Sequence, residues 1–322
     1  MDVDNTPTRV EELWFSDGGL VVQAEQSLFR ISGGILAARS PVFKDMLVFP
    51  QPPDAETVEG CPVVRLPDSA TDIIAFFKAI FDSSFFEPHP SPTELDLVIS
   101  ILHLSNKYAV DYLKRRALVH LSHRYATTLS EYDGPSLDTT PDDDAQTAPY
   151  EVAAILIARE VAALWILPMA FYYLASTEDA AIQAVLDCVT YKTHPAKLSE
   201  DDRILFLKSS LHVRCQGQGL MRFLYSPHII PGCQGGQGCT AGRLRGIDQA
   251  QTIMEKYNDD PLALEEASLW STLKDGCCRA CYRTFKRTHQ KAREAFWDEL
   301  PQLCGLPPWE ELEKMKAEAL TV

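Results

Sequence analysis

The stretch FRISGGILAARSPVFKDML, residues 29–47, constrains the fold more than any other part of the chain. Phe29 and Ile31 alternate with Arg30 and Ser32, the two-residue period of a half-buried strand. Gly33-Gly34 breaks that pattern, and Ile35, Leu36, Ala37 and Ala38 continue with a helical composition. Ser40-Pro41 is a favoured N-cap and first-turn pair, so a second helix is expected through Val42, Phe43, Met46 and Leu47. A strand, a short helix and a capped second helix within 19 residues commit the N-terminal part to a mixed sheet-and-helix core. The stretch contains no nucleophile, metal ligand or phosphate-binding loop.

The flanking sequence fits this beginning. LVVQA (20–24) and SLFRI (27–31) read as a closely joined hairpin, and Val63 to Leu66 reads as a third short strand. Asp68 or Ser69 can cap a helix carrying Ile73, Ile74, Phe76, Phe77, Ile80 and Phe81. After the turn-rich EPHPSPTE (87–94), two more helices follow. The first is apolar over a wide face through Leu95, Val98, Ile99 and Leu102, and the second places Leu113, Ala117 and Leu121 at i, i+4, i+8. Three short strands followed by paired helices predict an α+β domain over residues 12–132.

EYDGPSLDTTPDDDAQTAP (131–149) has almost no apolar content and an acidic run at Asp142–Asp144. It cannot bury enough surface to order itself, so residues 133–149 are expected to form an acidic flexible linker open to limited proteolysis. Residues 150–322 show no strand pattern and read as a helical C-terminal domain, interrupted by a Cys- and Gly-rich irregular stretch within 214–246. VAAILIAREVAALWILPMAFYYLA (152–175) is long enough to cross a bilayer, but Arg159-Glu160 lies near its middle and Pro168 interrupts it. It reads as one or two buried helices, and no membrane association is expected.

A net charge of -15 argues against general nucleic-acid or anionic-membrane binding, which needs a basic face. KDGCCRACYRTFKRTHQKAR (274–293) is locally basic, with seven Lys/Arg against one Asp. It reads as a solvated helix face that docks against the chain's own acidic residues. The first ten residues carry no signal-peptide pattern, which implies an intracellular, reducing setting, cytoplasm or nucleus. The nine cysteines are then free thiols or metal ligands rather than disulfides.

Four of those cysteines form a candidate zinc site. Cys233 and Cys239 flank a Gly-rich loop, and Cys278 and Cys281 form C-x-x-C near a helix start, together C-x5-C…C-x2-C. Zinc takes four thiolate or imidazole ligands in a tetrahedron, and Gly235, Gly236 and Gly238 let the loop curl around an ion. Reduced thiols in a small-residue loop are the plain alternative, and Cys215, Cys277 and His228 are spare ligands nearby. His120 and His123 share a helix face and read as surface histidines. No phosphate-binding loop, nucleophile elbow or H-E-x-x-H motif occurs, so an enzyme is not expected.

Three segments, VVQAEQSLFRISGGILAARSPVFKDML, VVRLPDSATDIIAFFKAIF and LVISILHLSNKYAVDYLKRRAL, resemble the BTB/POZ family in order and spacing. The resemblance covers about 120 residues and includes the patterns L-A-x-x-S-x-x-F and K-Y-x-V-x-x-L. The overall layout is similar to BTB proteins expanded in mushroom-forming fungi, whose helical C-terminal region ends much like AFWDELPQLCGLPPWEEL. The resemblance implies a homodimer that buries Ile35, Leu36 and Val42 against a second copy, joined by the N-terminal segment through Val10, Leu13 and Phe15. Where many members carry a charged Asp and Arg near the dimer axis, this chain has Gly19 and Gly33. The resulting expectation is a non-enzymatic interaction protein that self-associates and engages a further, unidentified protein. A substrate adaptor for a cullin ubiquitin ligase is one alternative, and a nuclear regulator using the basic Cys-containing helix is another.

Overall fold

The computed structural model describes residues 6–49, 56–134, 146–177, 180–225, 230–256, 260–264 and 267–321. Residues 135–145, the body of the expected linker, lie outside these, as does His228. The fold is α+β: a small mixed sheet in the N-terminal part and a helical C-terminal part. Two compact units divide the chain. The first comprises residues 1–124, 159–162 and 317–322; the second comprises 125–158 and 163–316. The long N-terminal stretch of the first unit thus runs to Arg124, where the sequence suggested 132.

In the first unit, β2 (Leu20–Ala24) and β3 (Ser27–Ile31) form the expected antiparallel hairpin, and β5 (Cys61–Leu66) pairs in parallel with β2. Two strands were not anticipated. β1 (Thr8–Trp14) lies parallel to β3, and β4 (Thr57–Val58) closes a tight hairpin with β5 through Glu59-Gly60, both at positive φ. The sheet is therefore five-stranded, in the order β1-β3-β2-β5-β4, rather than three-stranded.

Helices α1 (Gly33–Arg39) and α2 (Pro41–Val48) follow β3. Ser40 explains their junction. Its hydroxyl oxygen accepts the Phe43 N–H (3.0 Å), capping α2, and donates to the Tyr108 carbonyl (2.5 Å). One buried side chain thus satisfies a helix end and ties the hairpin to the next layer. That layer is α3 (Ala70–Phe81), α4 (Leu95–Lys107) and α5 (Asp111–Arg124). Phe29, Phe43, Phe76 and Phe77 are fully buried, and the Phe43 ring stacks on Tyr108 at 4.5 Å. Asp68 receives both the Lys107 ammonium and the Tyr108 hydroxyl, each at 2.5 Å. That network locks the α4–α5 corner, where Ala109 adopts positive φ.

The second unit begins with the short helix α6 (Leu129–Tyr132), followed by α7 (Thr147–Glu160) and α8 (Leu167–Ser176). These last two split the apolar 152–175 run, with Arg159-Glu160 at the end of α7 and Pro168 in the first turn of α8. No helix among the described residues is long and apolar enough to cross a membrane. Next come α9 (Ala180–Leu186) and a small hairpin, β6 (Val189–Tyr191) with β7 (His194–Ala196). That hairpin corrects the expectation of a strand-free C-terminal half. Five helices complete the chain: α10 (Glu200–Leu220), α11 (Gln237–Lys256), α12 (Ala267–Gly276), α13 (Arg279–Leu303) and α14 (Trp309–Leu320).

The basic run docks in part on the chain itself. Arg293, 1% exposed, makes two parallel bonds to Asp133, at 3.0 and 2.5 Å. Tyr132 packs its ring against Trp297 at 5.9 Å, and Trp297 stacks on Trp309 at 5.1 Å. Tyr132, just before the expected linker, and Asp133, its first residue, are therefore anchored on α13, and the last three residues of that stretch, 147–149, are not linker but the first turn of α7.

His289 on the same helix is 2% exposed, with its ring 5.1 Å from Trp270 and 5.8 Å from Phe223. Burial, aided by the charges of Arg293 and Lys286, pushes its pKa down to about 4. The native state keeps the ring neutral, while the unfolded chain takes up a proton near pH 6.5. The contribution is therefore complete above that pH and is lost as pH falls toward 4, by about 2 kcal/mol between pH 7 and pH 5. Urea unfolding at both pH values checks this: His289→Phe should flatten the pH dependence by that amount. An identical pH dependence in both proteins would contradict it.

Candidate metal centre

Three pieces of local structure bring four thiols together. Cys233 lies in the turn preceding α11, Cys239 in the first turn of α11, Cys278 at the N-cap of α13 and Cys281 in its first turn. The four sulfurs all lie within 4.8 Å of one another, and together they can hold a metal ion. A tetrahedron with metal–sulfur bonds of about 2.3 Å has sulfurs about 3.8 Å apart, so closure needs side-chain shifts of about 1 Å at most.

The surroundings suit that closeness. A Cβ on Gly235 would lie 2.3 Å from the Cys239 sulfur, so only glycine admits the thiol there. Gly236 turns the chain at positive φ before α11 begins. The Cys278 N–H donates to the Cys239 sulfur at 3.1 Å, linking the two halves of the site directly. On α11, a Cβ on Gly242 would meet the Gly276 carbonyl oxygen at 2.1 Å, so the close approach of α11 to the end of α12 also depends on glycine. Cys239 and Cys281 are buried in a core with Leu224, Leu269, Trp270, Leu273 and Phe285, while Cys233 and Cys278 are half-buried.

Position divides the thiols into two kinds. The backbone N–H groups of Cys281 and Gln234 hold the Cys278 thiol down to about 6. The Gly235 N–H, then the Cys281 thiol and the Gly236 N–H, lower Cys233. Burial, then the neighbouring thiols, pushes Cys281 up. At Cys239 the Cys278 N–H pulls down, but burial and the Cys233 and Cys278 thiols outweigh it and leave the net shift upward. At two sulfurs the amides thus outweigh burial and favour the anion, and at the other two burial and the neighbouring thiols prevail, where a bound cation would offset them. Cys277 stays outside the set: its sulfur faces the Cys239 carbonyl at 3.6 Å and burial raises its pKa to about 11. Cys215 is exposed on α10.

The other residues singled out in the sequence fall elsewhere. Leu13 and Leu36 are buried in the core of their own unit, at 1% and 0% exposure. Ile35 and Val42 are exposed on α1 and α2, and Val10 and Phe15 are half-buried on and just after β1. His120 and His123 are joined by His89, whose ring lies 6.0 and 4.1 Å from theirs. His120 Nε2 meets the Glu87 carbonyl at 2.9 Å. His89 lies 31 positions before His120, so nothing local in the sequence signals the cluster. Comparison with protein families, with curated proteins and with solved structures finds no match to this chain.

Proposed function

We propose that this is a non-enzymatic protein-interaction protein with a BTB-like N-terminal unit that self-associates, and a C-terminal unit organised by a structural zinc ion. The order of elements supports the first part: a hairpin, a capped helical pair, a strand returning parallel to the hairpin, then α3 and the α4–α5 pair. The observation that carries self-association is the apolar surface left open on the helical pair. Ile35 and Val42 are 44% and 37% exposed, and Val48 and Phe49 at the end of α2 are 76% and 72% exposed. Four exposed large apolar side chains on one short helical pair are more than the single scattered ones normal on a surface. In the full chain, Ile35→Lys/Val42→Lys is expected to lower the mass measured by sedimentation while circular dichroism stays unchanged. An unchanged mass would contradict this surface.

Zinc is favoured among metals because four cysteine ligands in a closed, partly buried site match its structural chemistry. The thiols would bind it as thiolates, with the Cys278 and Cys233 backbone environments already favouring that form. Metal analysis of protein purified without added chelator is expected to give about one zinc per chain. Protein that folds fully with no bound metal would remove the zinc part of the reading.

A further inference from the structure

Helix α13 buries Cys281, Phe285 and His289 on one side and carries a row of cations on the other. Arg279, Arg283, Arg287 and Lys291 follow one another four residues apart, with Lys286 beside them, and all five are exposed. Among the described residues none of the five forms an ion pair, whereas Arg293, the next cation along the helix, is paired with Asp133. The helix by itself gains nothing from this row. Like charges four residues apart repel, and the first turn holds no acidic residue to complement the helix dipole, which disfavours cations there. The thiols of the metal centre lie only at the Arg279 end. Arg287 and Lys291 are about 12 and 18 Å from Arg279 along the axis. That is farther than the ~8 Å over which exposed charges act through physiological salt.

We infer that this row docks an extended, carboxylate-rich peptide segment of another protein. Helix geometry sets its cations about 6 Å apart. Alternate side chains of an extended peptide project to one side about every 6.6 Å. Acidic residues at every second position therefore meet successive cations. Three of the four in the row are arginines, whose forked guanidinium takes a carboxylate through two parallel bonds. Cys281, Phe285 and His289 root the helix in its core, so the cations hold their register before the partner arrives. A nucleic acid fits the face less well. Single strands are held by stacking bases on aromatic rings as well as by charge. The rings beside the row are covered, because Lys286 lies over Trp270 at 5.1 Å and over Tyr282 at 6.0 Å. A duplex would bring its dense charge against a chain of net charge -15, whereas a thin peptide meets the basic face alone.

The row does not involve the α1–α2 surface, so its failure and that of self-association are read separately. The test is fluorescence anisotropy on the full chain with a labelled peptide of alternating glutamate and serine, about nine residues long to span the row. Salt is held at about 50 mM, where exposed charges are weakly screened. Saturable binding is expected. Arg283→Glu/Arg287→Glu should weaken it at least about tenfold, because both attraction and register are lost. Lys197→Glu/Lys208→Glu makes the same change of charge at exposed lysines off α13 and should alter it less than about twofold. The α13 substitutions relieve like-charge repulsion, so circular dichroism should stay unchanged. An unsubstituted chain that does not bind the peptide, or equal weakening by the two variants, overturns the inference. Tighter binding of an oligothymidylate of equal charge overturns it in favour of nucleic acid. Binding that emerges only in Asp142→Asn/Asp143→Asn/Asp144→Asn also overturns it, because the row then serves the chain's own acidic run.

Discussion

Cys281→Ser is expected to abolish metal retention and to destabilise the second unit by more than about 4 kcal/mol, because structural zinc binding in small domains is folding free energy. Cys304→Ser is the matched control. Cys281 and Cys304 are 3% and 4% exposed, so the cost of burying a hydroxyl in place of a thiol is similar, about 1 to 3 kcal/mol. Only Cys281 belongs to the four-thiol set. Chelator separates the effects without relying on magnitudes. Wild type and Cys304→Ser should both lose stability when a strong chelator is added, and Cys281→Ser should not respond. Thermal unfolding with and without chelator reads this directly. Equal behaviour of the two serine variants would mean that Cys281 matters only as a packed side chain.

The second large effect concerns Arg293 and Asp133, and it should be asymmetric. Arg293 is 1% exposed and permanently charged, whereas the Asp133 side chain is 38% exposed and can be rehydrated. Asp133→Ala removes the carboxylate from a cation that cannot reach water and is expected to cost about 3 kcal/mol. Arg293→Met removes the buried charge, keeps much of the stem's packing, and is expected to cost about 1 to 2 kcal/mol. The double variant should be no less stable than Arg293→Met, so the second substitution rescues the first. Urea midpoints of the three proteins, compared as a double-mutant cycle, check the coupling. Additive costs would show that the two residues contribute through separate neighbours.

Much of the first unit is legible in the sequence because its signals are local. The β2–β3 alternation, the Ser40-Pro41 cap and the α3 to α5 periodicities each announce a type of structure. β1 escapes because TRVEELW has three charged residues and only Leu13 buried, so an edge strand with one inward side chain shows no period. β4 is two residues long, and β6 and β7 are three each, with Pro195 in β7; none is long enough for alternation to register. Leu36 and Ile35 are neighbours of similar hydropathy, and only packing decides that one is in the core and the other on the surface.

The candidate site was legible for a different reason. Cysteine is a rare residue with a distinctive ligand chemistry, so C-x5-C and C-x2-C stand out whatever the fold. What the sequence hid was the form of the first half. Its glycines read as loop, yet Gly238, Gly242 and Gly246 lie inside α11, where a Cβ on Gly242 would strike Gly276 and one on Gly246 would strike Leu273. Glycine lowers helix propensity but allows the helices to approach, and tertiary packing prevails. The unit boundary was hidden similarly. LSEYD is polar and looks like the start of a linker, but Tyr132 and Asp133 find their partners about 160 residues later, on α13.

The central claim, that Cys233, Cys239, Cys278 and Cys281 hold zinc, is tested most directly by X-ray absorption at the zinc edge on the purified full chain. The expected spectrum fits four sulfur neighbours at about 2.3 Å, reduced to three or lost altogether in Cys278→Ser. A first shell of nitrogen and oxygen, or protein that is fully folded with no zinc to measure, would contradict it.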